Sequence, residues 1–220
     1  MLTFYHTPLS INSRRVWVAL LEKALPFEAV VMNLGGDQFR PEFLALNPFH
    51  HIPVLRDGDF RIIESFAILD YLEAQYPTPA LLPTHPRALA KTRMVQMVTV
   101  NELVPAVNPL LKAMMGFGQD SPEVIDQAKQ RAGVVLQFYA DQLGEGPYFG
   151  GEQLTLADIV AGTFAPWFEQ LGLPLSTYPN LHGWTARLME RPAWQATQPT
   201  AAELAAFRDR MGERMASQGP

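Results

Sequence analysis

Leu2 to Tyr5 is a short β-favouring run, followed by the turn-like segment His6 to Ser10 and an apolar stretch from Val16 to Leu25. That stretch predicts a helix, ended by Pro26 because proline cannot continue the hydrogen-bond ladder. Phe27 to Leu34 is a second β-rich run, closed by the punctuating pair Gly35-Gly36. A helical turn is expected around Pro41 to Leu46. Ile52 to Leu55 and Phe60 to Ile63 flank Arg56-Asp57-Gly58-Asp59, whose Asp-Gly core is the strongest short-range hairpin signal. Phe66, Leu69, Leu72 and Tyr76 then fall at helical spacing. The order β-α-β-(α)-β-β-α predicts a small α/β domain with a mixed sheet, spanning residues 1–78.

The pattern changes after Tyr76. Pro77, Pro79, Pro83 and Pro86 crowd one stretch and predict a stiff, extended linker over residues 79–88. From there to residue 220 the apolar spacing predicts helices and no convincing strand. Arg87 to about Met115 reads as one long helix, kinked by Pro105 and Pro109. Ser121-Pro122-Glu123 opens another helix that runs to Leu143, with proline at its first position. Leu156, Ile159, Val160, Phe164 and Trp167 give a further apolar face; Leu181, Trp184 and Leu188 give the last before a polar amphipathic tail. The expected second domain is all-helical.

Composition narrows the chemistry. Over 220 residues, 48% are hydrophobic and 18% charged, ample for a sizeable core and incompatible with disorder. A formal charge of −5 argues against a nucleic-acid binder, which carries a basic footprint. No apolar run approaches the roughly 18 residues that span a bilayer, and the N-terminus lacks a basic stretch followed by an apolar core, so a cytoplasmic protein without membrane partners is expected. The chain has no cysteine, which removes disulfides, thiolate zinc sites, CxxC redox centres and cysteine nucleophiles. The five histidines show no i,i+4 pairing, so no metal is expected.

Three places remain as candidates for chemistry. Ser10 and Ser13 precede the first helix, with Arg14 and Arg15 behind them. One serine can serve simply as an N-cap, but a helix N-terminus with a hydroxyl also suits an anion. In the second place, Ile52-Pro53 joins a loop to a strand. A cis X–Pro bond there would leave the Ile52 backbone ready to pair with an extended peptide ligand. Third, Ser65 reads as the N-cap of the next helix and Glu64 stands beside it. A carboxylate cradle next to an acid partner fits an α-amino acid end group. Thr155-Leu-Ala-Asp158 has the spacing of a capping box, with Leu154 and Ile159 at the staple positions, and reads as structural.

Together these segments resemble the soluble glutathione transferases. Residues 47–77, from Asn47-Pro-Phe-His-His-Ile-Pro-Val-Leu through the Asp-Gly hairpin and Glu64-Ser65 to the apolar helix, are similar to that family's glutathione-binding segment. Its usual opening is Asn-Pro-x-Gly-Lys-Val-Pro-x-Leu. Ala24-Leu-Pro-Phe-Glu, Pro41-Glu-Phe-Leu-Ala-Leu-Asn-Pro and the stretch from Tyr148 to Ile159 extend the resemblance over nearly the whole chain. It implies a thioredoxin-like N-terminal domain with a mixed four-stranded sheet and a C-terminal helical bundle. It also implies glutathione as co-substrate, a homodimer, and an activity that conjugates and detoxifies small hydrophobic electrophiles.

Carried over by position, Glu64 and Ser65 would hold the γ-glutamyl end of glutathione and Ile52, before Pro53, the cysteinyl backbone. Gln38 and His51 would lie near the glycine carboxylate; His51 replaces the usual lysine, and His50 stands where glycine is common. Ser10 precedes Arg15 by five residues as in serine-type classes, so Ser10 is the expected thiol-activating residue, with Ser13 and Tyr5 as rivals. Leu9, Met114, Met115, Phe117 and Phe168 are candidate walls for the electrophile or ordinary core, and the tail from Ala201 to Met215 is either a lid or surface packing. Glutathione-dependent isomerisation or dehalogenation and a non-catalytic interaction module are the competing functions.

Overall fold

Alternation along the first strand, β1 (Leu2–His6), sends Leu2, Phe4 and His6 to one face of the sheet and Thr3 and Tyr5 to the other. The structure, a computed structural model, describes residues 1–33, 35–118 and 120–217, with side chains to residue 209. On one side of β1 lies β2 (Phe27–Val31), parallel, with Leu2 opposite Phe27 and His6 opposite Val31. On the other lies β3 (Val54–Asp57), antiparallel, with Tyr5 opposite Val54. β4 (Phe60–Ile63) continues antiparallel from β3 through the tight turn at Gly58-Asp59, giving the order β2-β1-β3-β4. The mixed four-stranded sheet is thioredoxin-like, as expected.

The crossover that the parallel β1–β2 pair requires is α1 (Ile11–Glu22). It covers the face of Phe4 and His6, and the His6 ring lies 4.6 Å from that of Trp17. The helix stops before the expected Pro26. Ala24 takes the left-handed conformation (φ +50), with its N–H bonded to Leu21 O and that of Leu25 to Leu20 O. This paired C-terminal closure is a Schellman motif with alanine in the usual glycine position. The buried Lys23 Nζ then bonds the carbonyls of Tyr76 and Pro79 at 2.8 Å each and pairs with Glu73, joining the end of α1 to that of α3 (Ser65–Gln75). A four-residue α2 (Pro41–Leu44) crosses the opposite sheet face, where Phe43, Met32 and Val54 form a small core.

Beyond the proline-rich segment, helix α4 (Pro86–Val98) starts at Pro86, whose missing N–H costs nothing at a first helical position. The single kinked helix expected to reach Met115 is two helices. One π-type turn, Thr99–Leu103, separates α4 from α5 (Val104–Met114), and the Val104 N–H reaches back five residues to Thr99 O. Pro105 has no N–H to offer Asn101, and the widened turn absorbs the lost bond. Tyr139 on α6 (Pro122–Leu143) locks this turn through its hydroxyl, 2.6 Å from Thr99 Oγ1. The helix expected to run to Trp167 also ends early: α7 (Leu156–Gly162) gives way to a 3-10 turn at Ala165–Trp167, where Pro166 cannot continue the α ladder. Helices α8 (Pro179–Met189), α9 (Pro192–Ala196) and α10 (Ala201–Ser217) follow.

The chain divides into two compact units. One comprises Met1–Ala80 and Pro192–Ala206; the other comprises Leu81–Arg191 and the chain from Phe207. Residues Pro192–Ala206 thus fold with the sheet rather than with the helical bundle. The buried Arg14 on α1 holds them, donating from Nε to Thr197 Oγ1 (3.4 Å) and from Nη2 to Trp194 O (3.5 Å). Burial pushes its guanidinium down to about 10.

Candidate active site

Strand register gathers the three candidate places. Ser10 follows the C-terminal end of β1, Ile52-Pro53 precedes β3, and Glu64-Ser65 follows β4. Tyr5 opposite Val54 and Val54 opposite Ile63 put all three at one end of the sheet.

At that end, the turn from Thr7 to Ser10 is closed by the Ser10 N–H on Thr7 O (3.2 Å). Ser10 is the N-cap of α1, with extended backbone (φ −82, ψ 119), and its Oγ accepts the Ser13 N–H at 3.2 Å. A serine hydroxyl can accept and still donate, and no described residue takes the Ser10 proton. Ser10 is half-buried, whereas Ser13 is fully buried, its Oγ accepting the Thr7 N–H at 3.4 Å. Tyr5, the other rival, points to the opposite sheet face and packs its ring on Phe43 at 6.2 Å.

Residue-level reading overlooked His6, which lies directly before this turn. The ring stacks on Phe4 at 4.7 Å, is 1% exposed, and has no hydrogen-bond partner on either nitrogen among the described residues. Burial lowers its pKa to about 4, so the imidazole is neutral near pH 7. The two-residue spacing from Phe4 was the available signal.

The Ile52-Pro53 peptide is cis. The preceding loop is braced by Asn47, whose Nδ2 donates to His51 O (2.8 Å) and whose Oδ1 accepts from the Phe49 N–H (3.0 Å). Neither the N–H nor the C=O of Ile52 bonds another described residue, so both are available to an extended peptide. His50 adopts φ +48, the left-handed region that glycine occupies without cost, where the resembled pattern has glycine. His51 is exposed, its ring 5.5 Å from that of His50. Gln38 is buried in the 3-10 turn Asp37–Phe39.

Ser65 is not the N-cap of its helix. Glu64 is, at φ +69, and Ser65 is the first helical residue. No side chain caps α3, so its first N–H groups remain open beside the buried Ser65. Such a terminus favours a carboxylate. At the next residue of the helix, the Arg15 guanidinium stands 5.2 Å over the Phe66 ring.

Of the candidate electrophile walls, Leu9 belongs to the first unit and the other four to the second. Phe168 is 1% exposed and is core, so it is withdrawn as a wall. Leu9, Met114, Met115 and Phe117 are half-buried. The tail helix packs on the turn after α5: Phe207 meets Phe117 edge-on at 5.8 Å and Arg208 Nη2 donates to Met114 O at 3.3 Å.

Asp158 is fully buried and forms the expected capping box. It accepts the Thr155 N–H (2.8 Å) and hydroxyl (2.9 Å), the Phe149 N–H (2.9 Å) and the Trp184 indole N–H (3.0 Å). Burial raises its pKa, opposed by these four donors. Among the described residues no cluster of three or more His, Asp or Glu has metal-holding geometry, and no helix is long and apolar enough to cross a membrane.

Comparison with known proteins shows the family of the chain. Residues 4–80 match the model of the glutathione S-transferase N-terminal domain, and residues 71–192 that of its C-terminal domain. Glutathione S-transferase F10 of Arabidopsis thaliana is 32% identical, covering 89% of this chain and 95% of its own. Maleylacetoacetate isomerase of Rattus norvegicus is also 32% identical, over 87% of this chain and 92% of its own. A glutathione transferase homologue from Sulfitobacter, solved with bound glutathione, superposes with a TM-score of 0.74 at 28% identity, covering 89% of this chain and 96% of its own. The chain belongs to the glutathione S-transferase family, enzymes that transfer groups to glutathione.

Proposed function

We propose that the protein binds glutathione across the end of the sheet and that Ser10 holds its sulfur as thiolate for attack on small hydrophobic electrophiles. The observation that carries this reading is the Ser10 hydroxyl: half-buried at a helix N-terminus, its acceptor side taken by Ser13 N–H and its proton unspent. Ser13 is too buried to reach a ligand, and Tyr5 faces the other side of the sheet. Glutathione would place its cysteinyl backbone on Ile52 and its γ-glutamyl carboxylate on the open N-terminus of α3 with Ser65, its ammonium on Glu64. Its glycine end would lie near Gln38 and His51.

A thiol of reference pKa about 8.5 is only a few per cent thiolate at pH 7. Lowering it to near 6.5 takes about 2.7 kcal/mol, within reach of one hydrogen bond to the anion plus the dipole of α1. Serine acts as donor, not base, because its own pKa is far too high. The attacking sulfur forms the new bond and the electrophile's leaving group departs. Leu9, half-buried next to Ser10, supplies apolar surface for the electrophile. A cytoplasmic homodimer with a detoxifying role completes the reading.

Titrating bound glutathione by thiolate ultraviolet absorbance, with turnover of an aryl halide, tests it. Ser10→Ala is expected to raise the bound thiol's pKa and slow turnover about 10- to 100-fold at pH 7, with little change in glutathione affinity. An unchanged pKa and rate would reject the assignment, and no binding at millimolar glutathione would favour an interaction module. The 32% identity to the rat maleylacetoacetate isomerase supports a second reading, cis–trans isomerisation by reversible addition of the same thiolate. Turnover of maleylacetoacetate without net glutathione consumption would favour it.

A further inference from the structure

One helical turn after Ser10 stands Arg14, and residues at that spacing are neighbours on a helix. Their backbones are tied directly: the Arg14 N–H donates to Ser10 O at 2.8 Å, the bond that opens the ladder of α1. The Arg14 side chain is buried, a rare place for a charge. Burial pulls its pKa down to about 10, still far above neutral pH, so the guanidinium stays a cation. An apolar side chain would fill the same volume without desolvating a charge. What the guanidinium adds is direction.

That direction is set from far along the chain. Nε donates to Thr197 Oγ1 at 3.4 Å and Nη2 to Trp194 O at 3.5 Å, from partners 183 and 180 residues away. Thr197, buried directly after α9, is itself fixed: its hydroxyl donates to Ala193 O at 2.8 Å, which leaves its oxygen to accept from Arg14. A line of hydrogen bonds therefore runs from the end of α9 through the Arg14 side chain to the first turn of α1 and the backbone of Ser10. Helix ends fray unless something outside the ladder holds them. Here the holder is a segment that folds with the sheet although the helical bundle precedes it in the chain.

We propose that Arg14 is a positioning residue for Ser10, anchored by Thr197 and Trp194, so that residues 192–197 serve thiol activation without touching glutathione. The inference rests on Ser10 being the donor to the thiolate. With the first turn of α1 fixed, the Ser10 hydroxyl keeps one orientation towards the bound sulfur. With Arg14 released, it samples several, and its bond to the thiolate weakens. Glutathione affinity, set at Ile52 and the start of α3, is spared.

Ultraviolet titration of bound glutathione and pH-dependent turnover of an aryl halide test this in Thr197→Val, which keeps the side-chain shape and removes the acceptor. The bound thiol's pKa should rise by about half a unit or more, a loss of thiolate of at least about threefold below the wild-type pKa. Turnover should fall by that factor at pH 6 and return to the wild-type rate at pH 9, with KM for glutathione unchanged. A merely structural loss would lower the rate equally at both pH values. Thr197→Ser should restore the wild-type profile. Arg14→Lys, which keeps the charge but loses the planar fork, should reproduce the shift. Adding Thr197→Val to Ser10→Ala should raise the pKa no further than Ser10→Ala alone, because the effect passes through Ser10. A wild-type pKa in Thr197→Val (in Arg14→Lys, should the first variant not fold), or an additive shift in the double variant, would overturn the inference while leaving the proposed function intact. An unshifted pKa in Ser10→Ala would strike the proposed function itself.

Discussion

The N-termini of α7 and α1 are both capped by a side chain, and they differ in what is left over. At α7, Asp158 and Thr155 exchange hydrogen bonds with each other's backbone while Asp158 also accepts from Phe149 and Trp184. Every oxygen is used and the carboxylate is sealed from water. At α1, Ser10 gives one lone pair to Ser13 N–H, stays half-exposed, and keeps its proton. A cap whose bonding capacity is spent internally stabilises the fold; one with capacity to spare at an open sheet end can serve a ligand. A catalytic guess at Asp158, tempting for a carboxylate in an apolar helix, fails on this difference.

The contrast is broken most severely by Asp158→Ala, which strands four donors in the core. It should cost at least about 3 kcal/mol in denaturant unfolding, while the folded fraction retains its rate. Normal melting with lost activity would reverse the assignment. Next comes the buried His6 beside the Ser10 turn. Its folded pKa of about 4 lies below the unfolded reference of about 6.5, so its contribution is fully present above pH 6.5 and is lost as pH falls towards 4. The loss amounts to about 3 kcal/mol, and His6→Phe should flatten that acid limb in pH-dependent unfolding curves. A limb of unchanged steepness would show that other groups cause it.

Ser10→Ala sharpens the comparison at lower amplitude. Its stability cost is that of one N-cap, about 1 kcal/mol, against the larger loss at Asp158, and the effect falls chiefly on turnover. Ser13→Ala, by contrast, should act on stability alone; a slowed rate at full stability would restore Ser13 as a rival. The smallest effect is expected at His50, where φ is +48. His50→Gly should raise the melting midpoint by about 1 kcal/mol equivalent, since glycine adopts that conformation without the side-chain penalty.

Much of this was legible along the chain. Asp57-Gly58 marked the hairpin, Thr155 to Asp158 the capping box, and Ile52-Pro53 the loop before β3, because each depends on neighbours within a few residues. Errors fell where a local pattern met a distant partner or a covalent restriction. The π turn before Pro105 needs Tyr139 to hold it, and α7 stops early at Pro166. Ser65 reads as a cap until the backbone at Glu64 is seen. Phe168 has the composition of a pocket wall, and only packing assigns it to the core.

Residue types and their spacing along the chain show the resemblance to the family, the element order of the first domain and the absence of a protein thiol, so a reactive thiol must arrive with the ligand. That Ser10, Ile52 and Ser65 share one end of the sheet is visible only in three dimensions. The tertiary structure alone gave Pro192–Ala206 to the first unit through Arg14. Those relations come from strand register and long-range burial, which join residues far apart in the chain.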